Sequence, residues 1–112
     1  MERKDAELAF LLQYENVAWY ESGRVKILDR RIYPEKITYV ECTSWQEVRQ
    51  AIADMVTQSA GPYTAAAMGM ALAAYQVRNE AVDTQRRFLE EAAHGLAMLT
   101  FLHSFVAAIV FI

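Results

Sequence analysis

A chain of 112 residues is long enough for one domain with a modest core and too short for a two-domain enzyme. Hydrophobic residues make up 54% and charged residues 22%, and the net charge of -3 provides no attraction to nucleic acid, so no nucleic-acid partner is expected. The single cysteine, Cys42, cannot form an internal disulfide, and the charged stretch MERKDAELAF lacks the apolar run of a secretory signal, so we expect a cytoplasmic protein.

The first third of the chain predicts a short helix followed by a small antiparallel sheet. Residues 5–13 place apolar side chains at helical spacing. The stretches on either side of Glu21-Ser22-Gly23 read as two strands of a hairpin, because Gly23 can adopt the positive φ that a tight turn needs. The stretch ITYVEC, Ile37 to Cys42, follows a turn at Pro34 and predicts a third strand.

From Ser44 onward the pattern becomes helical. Glu47 follows Ser44 by three residues, which is the spacing of a capping box at the start of a first helix. We expect the apolar face of this helix at four positions: Val48, Ile52, Met55 and Val56. Pro62 predicts the first turn of a second helix that runs to about Arg78, since proline lacks the N–H that would be unpaired there.

A third helix is predicted to begin near Asp83 or Thr84. Its core face is expected at Phe88, Leu89, Ala92, Ala93 and Leu96, and its water-facing side at Arg86, Arg87, Glu90 and Glu91. The predicted fold class is therefore α+β: one domain over residues 1–112, with a small three-stranded antiparallel sheet followed by a helical bundle of three to four helices.

The second predicted helix is unusual because Ala and Gly dominate the stretch AAAMGMALAA. Side chains this small predict a central helix that its neighbours approach closely. Gly69→Leu is therefore expected to overpack the contact. The apolar span of this helix is too short to cross a bilayer. At the start of the helix, the backbone N–H groups of Ser59, Ala60 and Gly61 and the positive end of the helix dipole suit an anion. Most helix starts bind only water or a capping side chain, so a start of α-helical structure that binds no ligand is the alternative interpretation.

Four stretches carry a resemblance to a known family: VAWYESGRVKILDRR, YVEC, AIADMV and AAMGMALAA. Together with the Gly-Pro loop between the last two, they resemble the N-terminal domain of the methylthioribose-1-phosphate isomerase family. That family is related to the regulatory subunits of eukaryotic translation initiation factor two B and to ribose-1,5-bisphosphate isomerase. The resemblance covers roughly residues 14–97. It implies a cap domain that precedes a larger Rossmann-like domain in enzymes that interconvert an aldose and a ketose phosphate.

Two arginines of that family are missing, which changes what the resemblance implies about the site. Family members carry an Arg-Gly-Ala-Pro segment where this chain reads Gln58-Ser59-Ala60-Gly61-Pro62, so only backbone donors and the helix dipole remain to hold a sugar phosphate. A second arginine, in an Ala-Arg-Pro-Thr type segment, is replaced after Ala97. The family's catalytic cysteine and aspartate lie in the larger domain. The resemblance thus implies a weak substrate site at Gln58, Ser59, Ala60 and Gly61, and no catalytic residue or cofactor.

Other candidate chemical groups favour structural explanations. Cys42 lies in a predicted strand and is expected to be a small buried residue and not a nucleophile. Glu91 and His94 have a Glu-x-x-His spacing that binds iron in helical bundles, but such a site needs a second copy of the motif. His94 and His103 are nine residues apart, on nearly opposite sides of a continuous helix. No metal site is therefore expected.

The chain ends in eighteen residues without a formal charge, from Gly95 to Ile112. Three interpretations stay open: a helix buried against the domain or a second copy, an altered reading frame after Ala97, and a membrane span. The membrane is the least favoured, because His103 and Ser104 interrupt the apolar run and no basic anchor follows it. Exposed apolar helices have to be covered, so we expect a homodimer.

Two functions follow from these observations. The first is an N-terminal domain related to sugar-phosphate aldose–ketose isomerases that does not catalyse on its own. The alternative is an interaction or dimerisation module, like the translation-factor relatives, that binds no small ligand.

Overall fold

The computed structural model describes residues 9–110, with the side chains of position 14 and positions 101–110 left outside the description. A 3-10 turn at Phe10–Leu12 leads into the one-turn helix α1, Tyr14–Val17. Strands β1, Ala18–Glu21, β2, Arg24–Leu28, and β3, Tyr39–Cys42, follow. Helices α2, Trp45–Ala53, α3, Gly61–Gln76, and α4, Val82–Val110, complete the chain. The predicted α+β class is confirmed.

The N-terminal helix predicted over residues 5–13 lies partly outside the described residues. In the described part, the chain forms the 3-10 turn and then α1 instead of a continuous helix. The side chain of Asn16 donates to the carbonyl oxygen of Phe10 at 2.9 Å, which holds the turn against α1. The break between the two short elements falls at Gln13, whose backbone is extended.

The three strands form one antiparallel sheet in the order β1-β2-β3. Glu21 pairs with Arg24 at the end of the first hairpin, and Val25 pairs with Cys42 in the second. The two turn residues, Ser22 and Gly23, have φ values of 51° and 80°, the pair of positive angles that a two-residue hairpin turn requires. The predicted hairpin and third strand are confirmed, although β3 begins at Tyr39 and not at Ile37.

Helix α2 begins at a capping box. The Ser44 hydroxyl accepts a hydrogen bond from the backbone N–H of Glu47 at 3.2 Å, and the Glu47 carboxylate accepts one from the backbone N–H of Thr43 at 3.0 Å. These bonds satisfy two donors at the helix start, as the spacing predicted. The prediction that Met55 lies on the core face is wrong. The helix ends at Ala53, and Met55 adopts a φ of 59°, which turns its side chain outward and leaves 49% of the residue exposed.

Helix α3 lies at the centre of the domain, in contact with α1, β1, β2, α2 and α4. A side chain at Gly69 would come within 3.0 Å of Leu96 Cδ1 and of Val48 Cγ1, so the absence of a side chain lets α4 and α2 approach α3 closely. The expected close approach of neighbouring helices is confirmed. One side of α3 still faces solvent, through Ala67, Ala71 and Ala74. The helix ends at Gln76, two residues before the predicted end.

Helix α4 begins at Val82 and continues without a break through the apolar end of the sequence to Val110. At 1.5 Å per residue its 29 residues span about 44 Å. Ala92 and Leu96 are buried and Phe88 and Leu89 are half-buried, as predicted, but Ala93 is exposed and its predicted core position is wrong. Within residues 9–110, no helix is both long and apolar enough to cross a membrane.

Candidate functional site

The connection between α2 and α3, residues 54–60, forms a tightly turned loop that brings the start of α3 beside β2. The backbone N–H of Arg30, just after β2, donates to the carbonyl oxygen of Val56 at 2.7 Å. Ser59 adopts a φ of 61°, so two residues of this loop, Met55 and Ser59, hold a left-handed backbone that side chains other than glycine's disfavour. The loop conformation is therefore fixed by tertiary contacts and not by local preference.

The four residues predicted as the substrate site lie together at the start of α3, where their hydrogen bonds can be followed one by one. The backbone N–H of Gly61 donates to the Gln58 carbonyl at 3.0 Å, and that of Tyr63 donates to the Ala60 carbonyl at 3.2 Å. Pro62 has no N–H to offer. Within the described residues, the amides of Ser59 and Ala60 remain without an acceptor. The expected set of backbone donors is thus reduced to two.

These residues line an open cavity of about 410 Å³. Its walls come from five parts of the fold: the 3-10 turn, α1, the segment after β2, the loop between α2 and α3, and the start of α3. The lining residues are Leu11, Leu12, Val17, Arg30, Gln58, Ser59, Ala60, Gly61 and Thr64. The cavity combines an apolar wall from the N-terminal segment with a polar wall from the loop and Arg30. A small ligand with a polar and an apolar part suits such a site.

Arg30 is the residue of this cavity that the sequence did not single out. Its neighbour Arg31 forms a two-point ion pair with Asp29, with Nε–Oδ1 and Nη2–Oδ2 distances of 2.9 Å. Arg30 has no carboxylate partner among the described residues, and its guanidinium lies 5.9 Å from the ring centroid of Tyr33. The sequence shows two adjacent arginines, but only the tertiary structure shows which one is neutralised and which one lines the cavity.

Gln58 occupies the position at which the family carries an arginine, so this side of the cavity has a neutral side chain in place of a charged one. Its side-chain amide donates to the Met55 carbonyl at 3.3 Å and so supports the loop. Thr57 is fully buried beside it, and the Thr57 hydroxyl has no hydrogen-bond partner among the described residues. A side chain on Gly61 would collide with that hydroxyl, which shows how closely the Thr57 oxygen lies against the first residue of α3.

The remaining candidate groups lie away from this cavity. Cys42 is buried in β3, and burial together with the nearby Glu47 charge raises the pKa of its thiol to about 11, so the thiol stays protonated at neutral pH. The expectation that Cys42 is a buried structural residue is confirmed. His94 is exposed on α4. In the part of the chain that the structure describes, no three His, Cys, Asp or Glu side chains are grouped to hold a metal ion.

Fold and cavity together define a small α+β domain with a ligand-sized pocket at the start of its central helix. Comparison with known proteins shows which proteins this domain resembles. No family model and no solved structure matches the chain. The methylthioribose-1-phosphate isomerase of Roseiflexus castenholzii is 41% identical over 66 residues, 58% of this chain and 19% of that protein. The isomerase of a second Roseiflexus strain is 35% identical over 82 residues, 72% of this chain and 23% of its relative.

The same name belongs to a protein of Pelotomaculum thermopropionicum, 31% identical over 78 residues that cover 69% of this chain and 21% of that protein. This chain is therefore a relative of the methylthioribose-1-phosphate isomerases, as its motifs predicted. It spans about a fifth of the length of the curated relatives that it matches. The further relationship to translation-factor subunits stays a prediction.

Proposed function

We propose that this chain is a sugar-phosphate-binding domain of the methylthioribose-1-phosphate isomerase type and that it does not catalyse isomerisation on its own. The observation that carries the proposal is the cavity of about 410 Å³ that collects Gln58, Ser59, Ala60 and Gly61 at the start of α3. The proposal places the domain in the cytoplasm. The unpaired Cys42 supports that location, because free thiols persist in reducing compartments.

The polar wall of the cavity supports the binding of a phosphate group. The free amides of Ser59 and Ala60 lie at the positive end of the α3 dipole, equivalent to roughly half an elementary charge. Phosphate oxygens accept hydrogen bonds from such amides. The apolar wall, formed by Leu11, Leu12 and Val17, suits the less polar end of a methylthio-sugar, the class of substrate that the relatives' name contains.

The composition of the cavity lining supports the non-catalytic part of the proposal. Moving hydrogen between adjacent carbons of a sugar requires a side chain that accepts a proton and one that returns it. Among the described residues that line this cavity there is no carboxylate and no histidine, cysteine or lysine. The guanidinium of Arg30 offers N–H donors and no acceptor, so it does not take the part of the base. We therefore infer that the groups that carry out proton transfer lie outside the described lining of this cavity.

Nuclear magnetic resonance titration of the full chain with methylthioribose 1-phosphate tests this proposal. We expect amide shifts confined to residues 58–61 and to the cavity wall, while unphosphorylated methylthioribose at the same concentration leaves the 58–61 amides unmoved. The same preparation should show no conversion of the sugar phosphate. The absence of shifts at millimolar ligand would overturn the binding function, and turnover by the purified chain would overturn the non-catalytic part.

Exposed apolar side chains support the second candidate, a module that dimerises without a small ligand. Leu12 and Tyr63, beside the cavity, are 62% and 57% exposed, and Met98 on α4 is 51% exposed. Surfaces of this kind mark contacts between proteins when they are contiguous. Sedimentation velocity over a range of concentrations tests this candidate. A monomer that persists at high micromolar concentration would count against dimerisation and leave ligand binding as the function.

A further inference from the structure

We propose that Arg30 supplies the positive charge that holds the anionic group of the ligand in the cavity at the start of α3. This inference rests on the proposed sugar-phosphate function and assigns one residue of this chain to it. Among the described residues that line the cavity, Arg30 is the one with a positive charge. Arginine recognises phosphate with two parallel N–H donors, so a single guanidinium can position the group as well as attract it.

The charge of Arg30 is available in a way that the charge of Arg31 is not. Asp29 is buried and binds the Arg31 guanidinium at two points, both at 2.9 Å. The Arg30 guanidinium lies over the face of the Tyr33 ring, 5.9 Å from its centroid, and an aromatic face orients a cation without neutralising it. The two consecutive arginines thus have different roles: Arg31 holds the segment after β2, and Arg30 lines the cavity.

The backbone fixes Arg30 relative to the loop that it is proposed to assist. The N–H of Arg30 donates to the Val56 carbonyl at 2.7 Å, two residues before Gln58. Ser59 and Ala60 of the loop and Arg30 after β2 therefore border the same space from two different parts of the fold. A ligand oxygen between them would meet neutral donors on one side and a cation on the other.

The loop itself, residues 54–60, provides no positive charge for this purpose. Gln58 is neutral, and its amide is occupied by the Met55 carbonyl.

The test compares Arg30→Gln with the matched variant Arg49→Gln, which removes the same charge from an exposed position on α2. Affinity for methylthioribose 1-phosphate and for inorganic phosphate is measured on the full chain from the Ser59 and Ala60 amide shifts. We expect Arg30→Gln to weaken binding of both probes about ten- to a hundredfold, the effect of losing a charge-assisted hydrogen bond. Arg49→Gln should keep the affinity of the wild type.

A second variant distinguishes loss of the charge from damage to the fold. Arg30→Gln combined with Gln58→Arg moves a guanidinium to the opposite wall of the same cavity and should recover binding, whereas a misfolded loop would not recover. Equal affinity of Arg30→Gln and the wild type would overturn the role of Arg30 and leave the proposed function intact. Failure of the wild type to bind the sugar phosphate would overturn the proposed function and this inference with it.

Discussion

Gly95 of α4 lies directly against the indole of Trp45 at the start of α2: a methyl group at Gly95 would come within 2.7 Å of Trp45 Cζ3. Trp45 is buried at 5% exposure and its backbone N–H donates to the side chain of Gln76 at 2.9 Å, so the ring has little freedom to withdraw. The junction of α2, α3 and α4 thus depends on a glycine in a helix, where glycine would otherwise be unfavourable.

Gly95→Ala is expected to destabilise the domain by about 1–3 kcal/mol, because the overlap with a rigid ring outweighs the gain in helix propensity of about 1 kcal/mol. Urea unfolding followed by circular dichroism measures the difference. Ala97→Gly, at an exposed position two residues further along α4, gives the propensity effect alone. A Gly95→Ala variant that is more stable than the wild type would show that α2 and α4 are further apart than the structure places them.

Gly69→Leu is expected to cost about 1–3 kcal/mol for a similar reason, since its side chain would enter the contact between Leu96 and Val48. Ala67→Leu is the matched control, because it adds a large side chain to the exposed side of the same helix, and its cost should stay within about 0.5 kcal/mol. Thermal or urea unfolding measures the stabilities of the two variants. Equal stabilities would contradict the central position of α3.

Local sequence signals predicted the hairpin, the capping box and the start of α3, because each depends on residues within a few positions of one another. Gly23 supplies the positive φ of the turn, and Ser44 and Glu47 have the spacing that a cap needs. Met55 was placed on the wrong side because helical periodicity continues in the sequence after the helix itself has ended at Ala53. A pattern of apolar residues does not reveal a left-handed residue that rotates the chain.

The candidate site was predicted in part. Residues 58–61 could be found because small residues before a proline mark a helix start, and the family resemblance pointed to the same place. Arg30 could not be found, since it lies 28 positions before Gln58 and reaches the cavity only because β2 ends beside the loop. Sequence spacing carries no information on which of two adjacent arginines pairs with Asp29.

Ser59→Gly is expected to stabilise the domain by about 0.5–1 kcal/mol, because Ser59 holds a φ of 61° that glycine adopts without steric cost. Met55→Gly, at a φ of 59°, should behave in the same way and is the comparison for a loop position that does not line the cavity. Chemical unfolding gives the stabilities, and the phosphate titration gives the affinities. Loss of stability in both variants would contradict the left-handed conformation of this loop.

Asp29 should make the domain less stable in acid. The hydrogen bond from the Arg31 side chain, opposed by burial, lowers the pKa of the Asp29 carboxyl below its usual value. A carboxyl whose pKa is lower in the folded state contributes stability above its unfolded pKa of about 3.9 and loses it as the pH falls through the folded pKa. The urea midpoint of the wild type should therefore decline below about pH 4 more steeply than the midpoint of Asp29→Asn.

Asp83→Asn is the control, because it removes an exposed ion pair with Arg86. Its urea midpoint should change with pH as that of the wild type does. If the urea midpoints of the wild type and Asp29→Asn decline equally in acid, the ion pair between Asp29 and Arg31 does not stabilise the segment that carries Arg30.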